Sequence, residues 1–102
     1  MAKRTVVWTE TAARQRRNIL LYWTKRNGNT KYAEKLIKLI ANQTKTISGN
    51  PLIFKQTDFP NTHISSLGYF SIVYKITKDQ IIVTAFWDNR QDPQTLLDLL
   101  NN

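Results

Sequence analysis

From Gly68 to Asp92 the alternation of apolar and polar positions predicts two strands joined by a tight turn. In Phe70, Ile72, Tyr74 and Ile76 every second residue is apolar, the period of a strand with one buried face. Lys78-Asp79 supplies a polar turn. The next run, Ile81-Ile82-Val83-Thr84-Ala85-Phe86-Trp87, is apolar on both faces and rich in β-branched and aromatic residues. That is the pattern of a central strand covered on both sides. The run stops abruptly at Asp88-Asn89-Arg90-Gln91-Asp92-Pro93. Polar groups gathered at the end of a buried strand are a common place for a site, and equally the composition of a solvated exit loop.

The first half of the chain has helical spacing. Lys3–Thr9, with Val6, Val7 and Trp8, reads as a first strand. Thr9 is a suitable N-cap, and Glu10 suits the positive end of a helix dipole. Ala12, Arg16, Ile19 and Trp23, with Leu20 beside them, predict a helix over Glu10–Arg26 whose outer face carries Arg14, Arg17 and Lys25. Gly28 can take the left-handed C-cap, and Asn29 or Thr30 can start a second helix. On that helix Tyr32, Leu36, Leu39, Ile40, Gln43 and Ile47 lie on one side, and Lys31, Lys35, Lys38 and Lys45 largely on the other. Ser48-Gly49-Asn50-Pro51 ends it. Leu52–Pro60 is irregular, His63–Leu67 is a short and weakly patterned strand, and Gln94–Leu100 reads as a short closing helix after Pro93.

The order is strand, helix, helix, three strands and a short C-terminal helix. Short links between the later strands favour an antiparallel meander. The expected fold is α+β: a mostly antiparallel sheet of three or four strands, with the helical hairpin packed on one face, as a single domain over residues 1–102. Phe70, Ile72, Tyr74, Ile81 or Ile82, Phe86, Leu36, Leu39 and Ile40 are the expected core.

Charge adds the main compositional constraint. The formal net charge is +8, and it is uneven. Residues 1–48 hold 11 of the 15 Lys and Arg against Glu10 and Glu34 alone; residues 49–102 are close to neutral. A hairpin this basic attracts polyanions, whether nucleic acid or an acidic protein. With no cysteine and one histidine, neither a disulfide framework nor a Cys/His metal site can be built, and no metal or cofactor is expected. The three glycines form no phosphate loop. No apolar run approaches the roughly 20 residues that span a bilayer, and the N-terminus has no signal-peptide core, so a cytoplasmic protein with no membrane contact is expected. A Ser-His-Asp arrangement could use only His63, and no serine sits in a nucleophile turn. Arg90, Lys55, Lys75, His63, Tyr69 and Tyr74 could meet on the sheet. An RNA-cleaving site needs a cation for the phosphorane charge and a proton carrier, and these residue types provide both. In the competing reading, Asp88 and Asp92 hold Arg90 in a structural ion pair.

Strand, basic hairpin, and then LGYFSIVYKI and DQIIVTAFWDNRQDP together resemble the RelE/ParE superfamily of type II toxin–antitoxin toxins, which includes plasmid stabilisation proteins. The resemblance spans nearly the whole chain. Gly68–Ile76 is similar to the family's glycine-tyrosine-arginine-hydrophobic-tyrosine strand, and Trp87–Pro93 to its arginine-containing turn. It implies a bacterial toxin that inhibits growth until an acidic, partly disordered antitoxin neutralises it. Operator DNA would be met only through the toxin–antitoxin complex. RelE-like members cut mRNA on the ribosome without a metal, whereas ParE-like members poison DNA gyrase. On the RelE-like reading, the catalytic candidates are Arg90, His63, Tyr69 and Lys75. Here Ser71 stands where the RelE-like strand carries its arginine, and no tyrosine or histidine follows Arg90, which leans the chain toward ParE. The RelE-like endoribonuclease, and a basic nucleic-acid-binding protein that is no toxin, stay as alternatives. Arg14, Arg17, Lys25, Lys35 and Lys38 are the expected partner-binding residues, facing the antitoxin.

Overall fold

A computed structural model describes residues 3–90. The elements run β1 (Thr5–Trp8), α1 (Glu10–Asn27), α2 (Lys31–Gly49), β2 (Lys55–Gln56), β3 (Thr62–Leu67), β4 (Phe70–Ile76) and β5 (Gln80–Asp88). The strands form one five-stranded sheet in the order β1-β5-β4-β3-β2. The expected closing helix over Gln94–Leu100 lies outside the described residues.

Local chemistry sets the helix ends. Thr9 caps α1 by accepting a hydrogen bond at its hydroxyl from the Ala12 amide, and Gly28 ends it with φ 71°, a conformation that a Cβ would strain. At the start of α2 the cap falls to the first of the two expected residues. Thr30 makes no side-chain cap; instead Asn29 Oδ1 accepts from the Lys31 amide at 3.0 Å.

The sheet departs from the expected three or four antiparallel strands in two ways. Leu52–Pro60 contributes a two-residue edge strand, β2, paired with His63 and Ile64. And β1 lies parallel to β5, from Thr5 opposite Gln80 to Trp8 opposite Val83. The short links do give antiparallel pairs, β2–β3, β3–β4 and β4–β5. Both helices and three strands separate β1 from β5, so no short link fixes their relative direction.

The central position of β5 follows from its two-sided apolar pattern, and a bulge completes it. Ala85 pairs with Val73 and Val83 with Tyr74, so Thr84 is the extra residue. Strict alternation would put Val83 and Phe86 on opposite faces. With the bulge they share the helix-facing side, together with Ile81 and with Phe70, Ile72 and Tyr74 of β4. Phe70 and Phe86 stack at 5.4 Å. Ala12, Leu36, Ile40 and Ile47 close this core from the helices. Beyond Trp8, where β1 ends, α1 takes over the edge of β5: Gln15 Oε1 accepts from the Phe86 amide at 2.9 Å. On the other face Ser71, Val73, Ala85 and Trp87 are buried as well, so β4 has two covered faces where one was expected.

One expected core residue is misplaced. Leu39 is 40% exposed, whereas Leu36 is 2% exposed. The buried stripe of α2 is Ala33, Leu36, Ile40 and Ile47. At 100° per residue Leu39 lies about 90° from the middle of that stripe. Leu36→Ala should therefore cost about 2–5 kcal/mol. Leu39→Ala should cost about 1 kcal/mol or less, since it removes little buried contact. Urea-unfolding midpoints of the two variants check the contrast, and equal losses would contradict this packing.

Candidate functional site

The polar exit of β5 meets the β3–β4 turn. Gly68, with φ 60°, takes the first position of a two-residue link, where a left-handed residue is needed, and Tyr69 takes the second. Tyr69 therefore stands at the tip of the turn, 66% exposed. Asn89 ties the exit to this turn: its amide donates to the Tyr69 carbonyl at 2.8 Å, and its Oδ1 accepts from the Ser71 hydroxyl at 2.8 Å. Ser71 is buried by that role.

Arg90 follows directly. Its amide and Nε both donate to Asp88 Oδ1 at 2.9 Å, and its Nη2 donates to Oδ2 at 2.7 Å. The guanidinium is thus held as a bidentate fork. It lies over two aromatic rings, 5.0 Å from the centre of Trp23 and 5.2 Å from that of Tyr69. Trp23 also packs against Tyr22 and Tyr32, at 5.2 and 5.1 Å. A second guanidinium, Arg26, lies 5.4 Å over Trp23 and donates to the Tyr22 hydroxyl at 3.0 Å. The hydrogen bonds from Arg90 hold the Asp88 carboxyl below its ordinary value, and Asp88 raises the already high Arg90 in return.

Of the sequence-predicted catalytic candidates, the fold brings together Arg90 and Tyr69 and sets the others apart. His63 pairs with Tyr74 across β3 and β4, and Phe70, four residues back along β4, pairs with Asp88. At about 3.3 Å per residue that separates the two ends by roughly 13 Å. His63 is buried, stacks on the Tyr74 ring at 5.4 Å, and has no hydrogen-bond partner at Nδ1 among the described residues. Lys75 adjoins Tyr74, so it points to the opposite face of the sheet and is exposed. Lys55 sits exposed on the edge strand. Tyr74 is a core residue: its hydroxyl donates to the Pro51 carbonyl at 2.7 Å, and burial pushes its pKa up to about 12. Among the described residues no cluster of three or more His, Cys, Asp or Glu gathers, and no helix is long and apolar enough to cross a membrane.

The stack around Trp23 was not anticipated, because Trp23 reads as core from its spacing. The available signal was local: Tyr22-Trp23 and Arg26 share one turn of α1, and Tyr22 and Arg26 are spaced i, i+4.

The partner-binding candidates Arg14, Arg17, Lys25, Lys35 and Lys38 are all exposed on the hairpin. Between α1 and α2 runs a groove of about 580 Å³ with Leu20, Leu21 and Ile37 in it and Arg16 and Arg17 on its rim. A smaller cavity of about 400 Å³ adjoins it beside Trp8, over which the Arg16 guanidinium lies at 4.1 Å.

The ion pair predicts a pH dependence. A depressed carboxylate contributes stability that is fully present above its ordinary value of 3.8 and is lost as pH falls through the lower folded value. Asp88→Asn should flatten this acid limb by a small amount, since Arg90 is half-exposed and screened by solvent. Urea unfolding at steps from about pH 5 to 3 measures it, and an unchanged limb would mean that the pair contributes nothing to folding.

Residues 6–93 match the family model of the ParE toxin of the type II toxin–antitoxin system parDE. A comparison with curated proteins finds no match. The fold is similar to a solved structure described as the chromosomal ParDE TA system from P. aeruginosa. That likeness has a TM-score of 0.70 at 19% identity, over 82% of this chain and 94% of the other. At that identity it shows the fold, and the match over residues 6–93 shows the family. The match spans most of the chain, which therefore belongs to the ParE toxin family and is the toxin of a type II toxin–antitoxin system, the counterpart of an antitoxin.

Proposed function

We propose that this toxin acts in the cytoplasm as a ParE-like poison of DNA gyrase, a binding protein with no chemistry of its own. The observation that carries this reading is the dispersal of the candidate RNase residues. A metal-independent phosphoryl-transfer site needs its cation and its proton carrier within hydrogen-bond reach of one phosphate. Here His63 is buried under the helices, Lys75 faces away across the sheet, and Ser71, in the position of the RelE-like arginine, is spent on Asn89. Arg90 and Tyr69 remain side by side, which is the one feature that favours the RelE-like alternative.

Arg90 is the residue proposed to meet the target. Its side chain is 47% exposed, and a surface ion pair of this kind contributes little to folding. Arg90→Ala should therefore abolish growth arrest while leaving the thermal midpoint and antitoxin binding nearly unchanged. Purified toxin should inhibit gyrase supercoiling and leave mRNA on translating ribosomes intact. Cleaved transcripts with unaffected gyrase would overturn the reading in favour of the endoribonuclease.

The antitoxin is proposed to be an acidic segment that folds on the hairpin, with operator DNA reached only through that complex. The α1–α2 groove offers what an amphipathic acidic helix needs: apolar Leu21 and Ile37 between flanking cations, with Arg14, Arg17, Lys25, Lys35 and Lys38 around it. The edge of β2, unpaired among the described residues, could receive an extended segment beside it. If these charges steer the encounter, the association rate should fall by about tenfold or more from low to physiological salt, with a much smaller change in the dissociation rate. Stopped-flow mixing with the antitoxin measures both, and a salt-independent association rate would exclude the basic hairpin as the docking face.

A further inference from the structure

We propose that the stack formed by Tyr22, Trp23, Arg90 and Tyr69 binds single-stranded DNA, with the two tyrosines stacking on unpaired bases and Arg90 and Arg26 holding the adjacent phosphates. The ring centres and the Arg90 guanidinium carbon follow one another in steps of 5.0–5.2 Å, from Tyr22 through Trp23 and Arg90 to Tyr69, with Tyr22 and Trp23 tilted by 33°. Both end rings are open to solvent, Tyr22 at 49% and Tyr69 at 66%. An alternation of aromatic faces with guanidinium groups is what single-stranded nucleic acid uses, because every base has a π-face and every nucleotide a phosphate.

The polar contacts are already arranged for an anion. Asp88 engages Nε and Nη2 of Arg90, which fixes the plane of the fork, and Nη1 makes no hydrogen bond among the described residues. Arg26 adds a second guanidinium over the same indole, and Lys25 is exposed beside it. Among the described residues Asp88 is the single acid of the cluster, and Arg90 occupies both its oxygens. Trp, Tyr and Arg also anchor protein interfaces, but there they fill desolvated pockets, whereas Tyr22 and Tyr69 stand open to solvent and apart from the apolar groove of Leu21 and Ile37. The exposed side chains of this stack are instead planar or cationic. The surface itself asks only for unpaired bases flanked by phosphates; the assignment to DNA rests on the gyrase reading, in which a broken duplex is at hand.

The test uses whole toxin freed from its antitoxin and fluorescence anisotropy with labelled oligo(dT) and oligo(rU), in the absence of gyrase. Oligo(dT) should bind at least as tightly as oligo(rU). Tyr69→Ala should weaken binding about tenfold, and Tyr69→Phe, which keeps the ring, should restore it. Arg90→Gln should lower the slope of log affinity against log salt by about 0.7, the value for one phosphate contact on a single strand, whereas Tyr69→Ala should leave that slope unchanged. No binding, or an equal loss in Lys45→Gln at the far end of α2, would overturn the proposal. So would Tyr69→Ala weakening the hold on DNA-free gyrase while oligo(dT) affinity stays intact, since the stack would then be a protein contact. Tighter binding of oligo(rU) would overturn the assignment to DNA. Oligo(dT) binding by a toxin without effect on gyrase would support the stack and remove the gyrase reading alone.

Discussion

The two-sided burial of β5 is the constraint on which the other elements depend. A strand that is apolar on both faces cannot sit at an edge without exposing one row of backbone groups beside greasy side chains. β4 covers one edge through a short turn. β1 covers part of the other, and α1 finishes it, with Gln15 accepting the Phe86 amide hydrogen where β1 has ended. The chain thus solves with one short parallel strand and one glutamine what would otherwise be a sticky sheet edge.

The bulge at Thr84 is the second part of that solution. Ile81, Val83 and Phe86 are spaced two and three apart, and only an inserted residue lets all three face the helices. The insertion also sets the phase of everything that follows. Asp88 falls opposite Phe70 and on the helix side, so the carboxylate that holds Arg90 lies near the end of α1 and not on the far face. The geometry of the exit therefore depends on a register choice made four residues earlier.

The molecule separates its two surfaces by chemistry. The hairpin carries most of the positive charge, with a groove of leucine and isoleucine between its helices. The end of the sheet carries aromatic rings and guanidinium groups held by one carboxylate. A toxin that must be both held by an antitoxin and free to meet a target has a use for two such surfaces. The first is the face proposed for the antitoxin, and the second is a cluster fixed by hydrogen bonds to the turn and the strand end.

The sequence by itself determined the helical hairpin, its caps at Thr9 and Gly28, the meander of the last strands, the central place of β5 and the lopsided charge. Each of these is encoded within a few residues, by periodicity, by a capping hydroxyl, by a glycine that can turn left-handed, or by composition. It also offered an ion pair of Arg90 with Asp88 and Asp92 as one of two readings of the exit, of which the structure shows the pair with Asp88. Tertiary structure decided what depends on residues distant in the chain. It set β1 parallel to β5, because the helices between them impose no direction. It left Leu39 at the flank of α2, because stripe membership is fixed by the angle to the sheet and not by hydrophobicity alone. It separated His63 from Lys75, because His63 pairs with Tyr74, and Lys75, next to Tyr74 on β4, takes the opposite face. And it brought Trp23, from the end of the first helix, under Arg90, at the end of the last strand. Sixty-odd residues of chain separate those two side chains, and only the packing of α1 along β5 closes that distance.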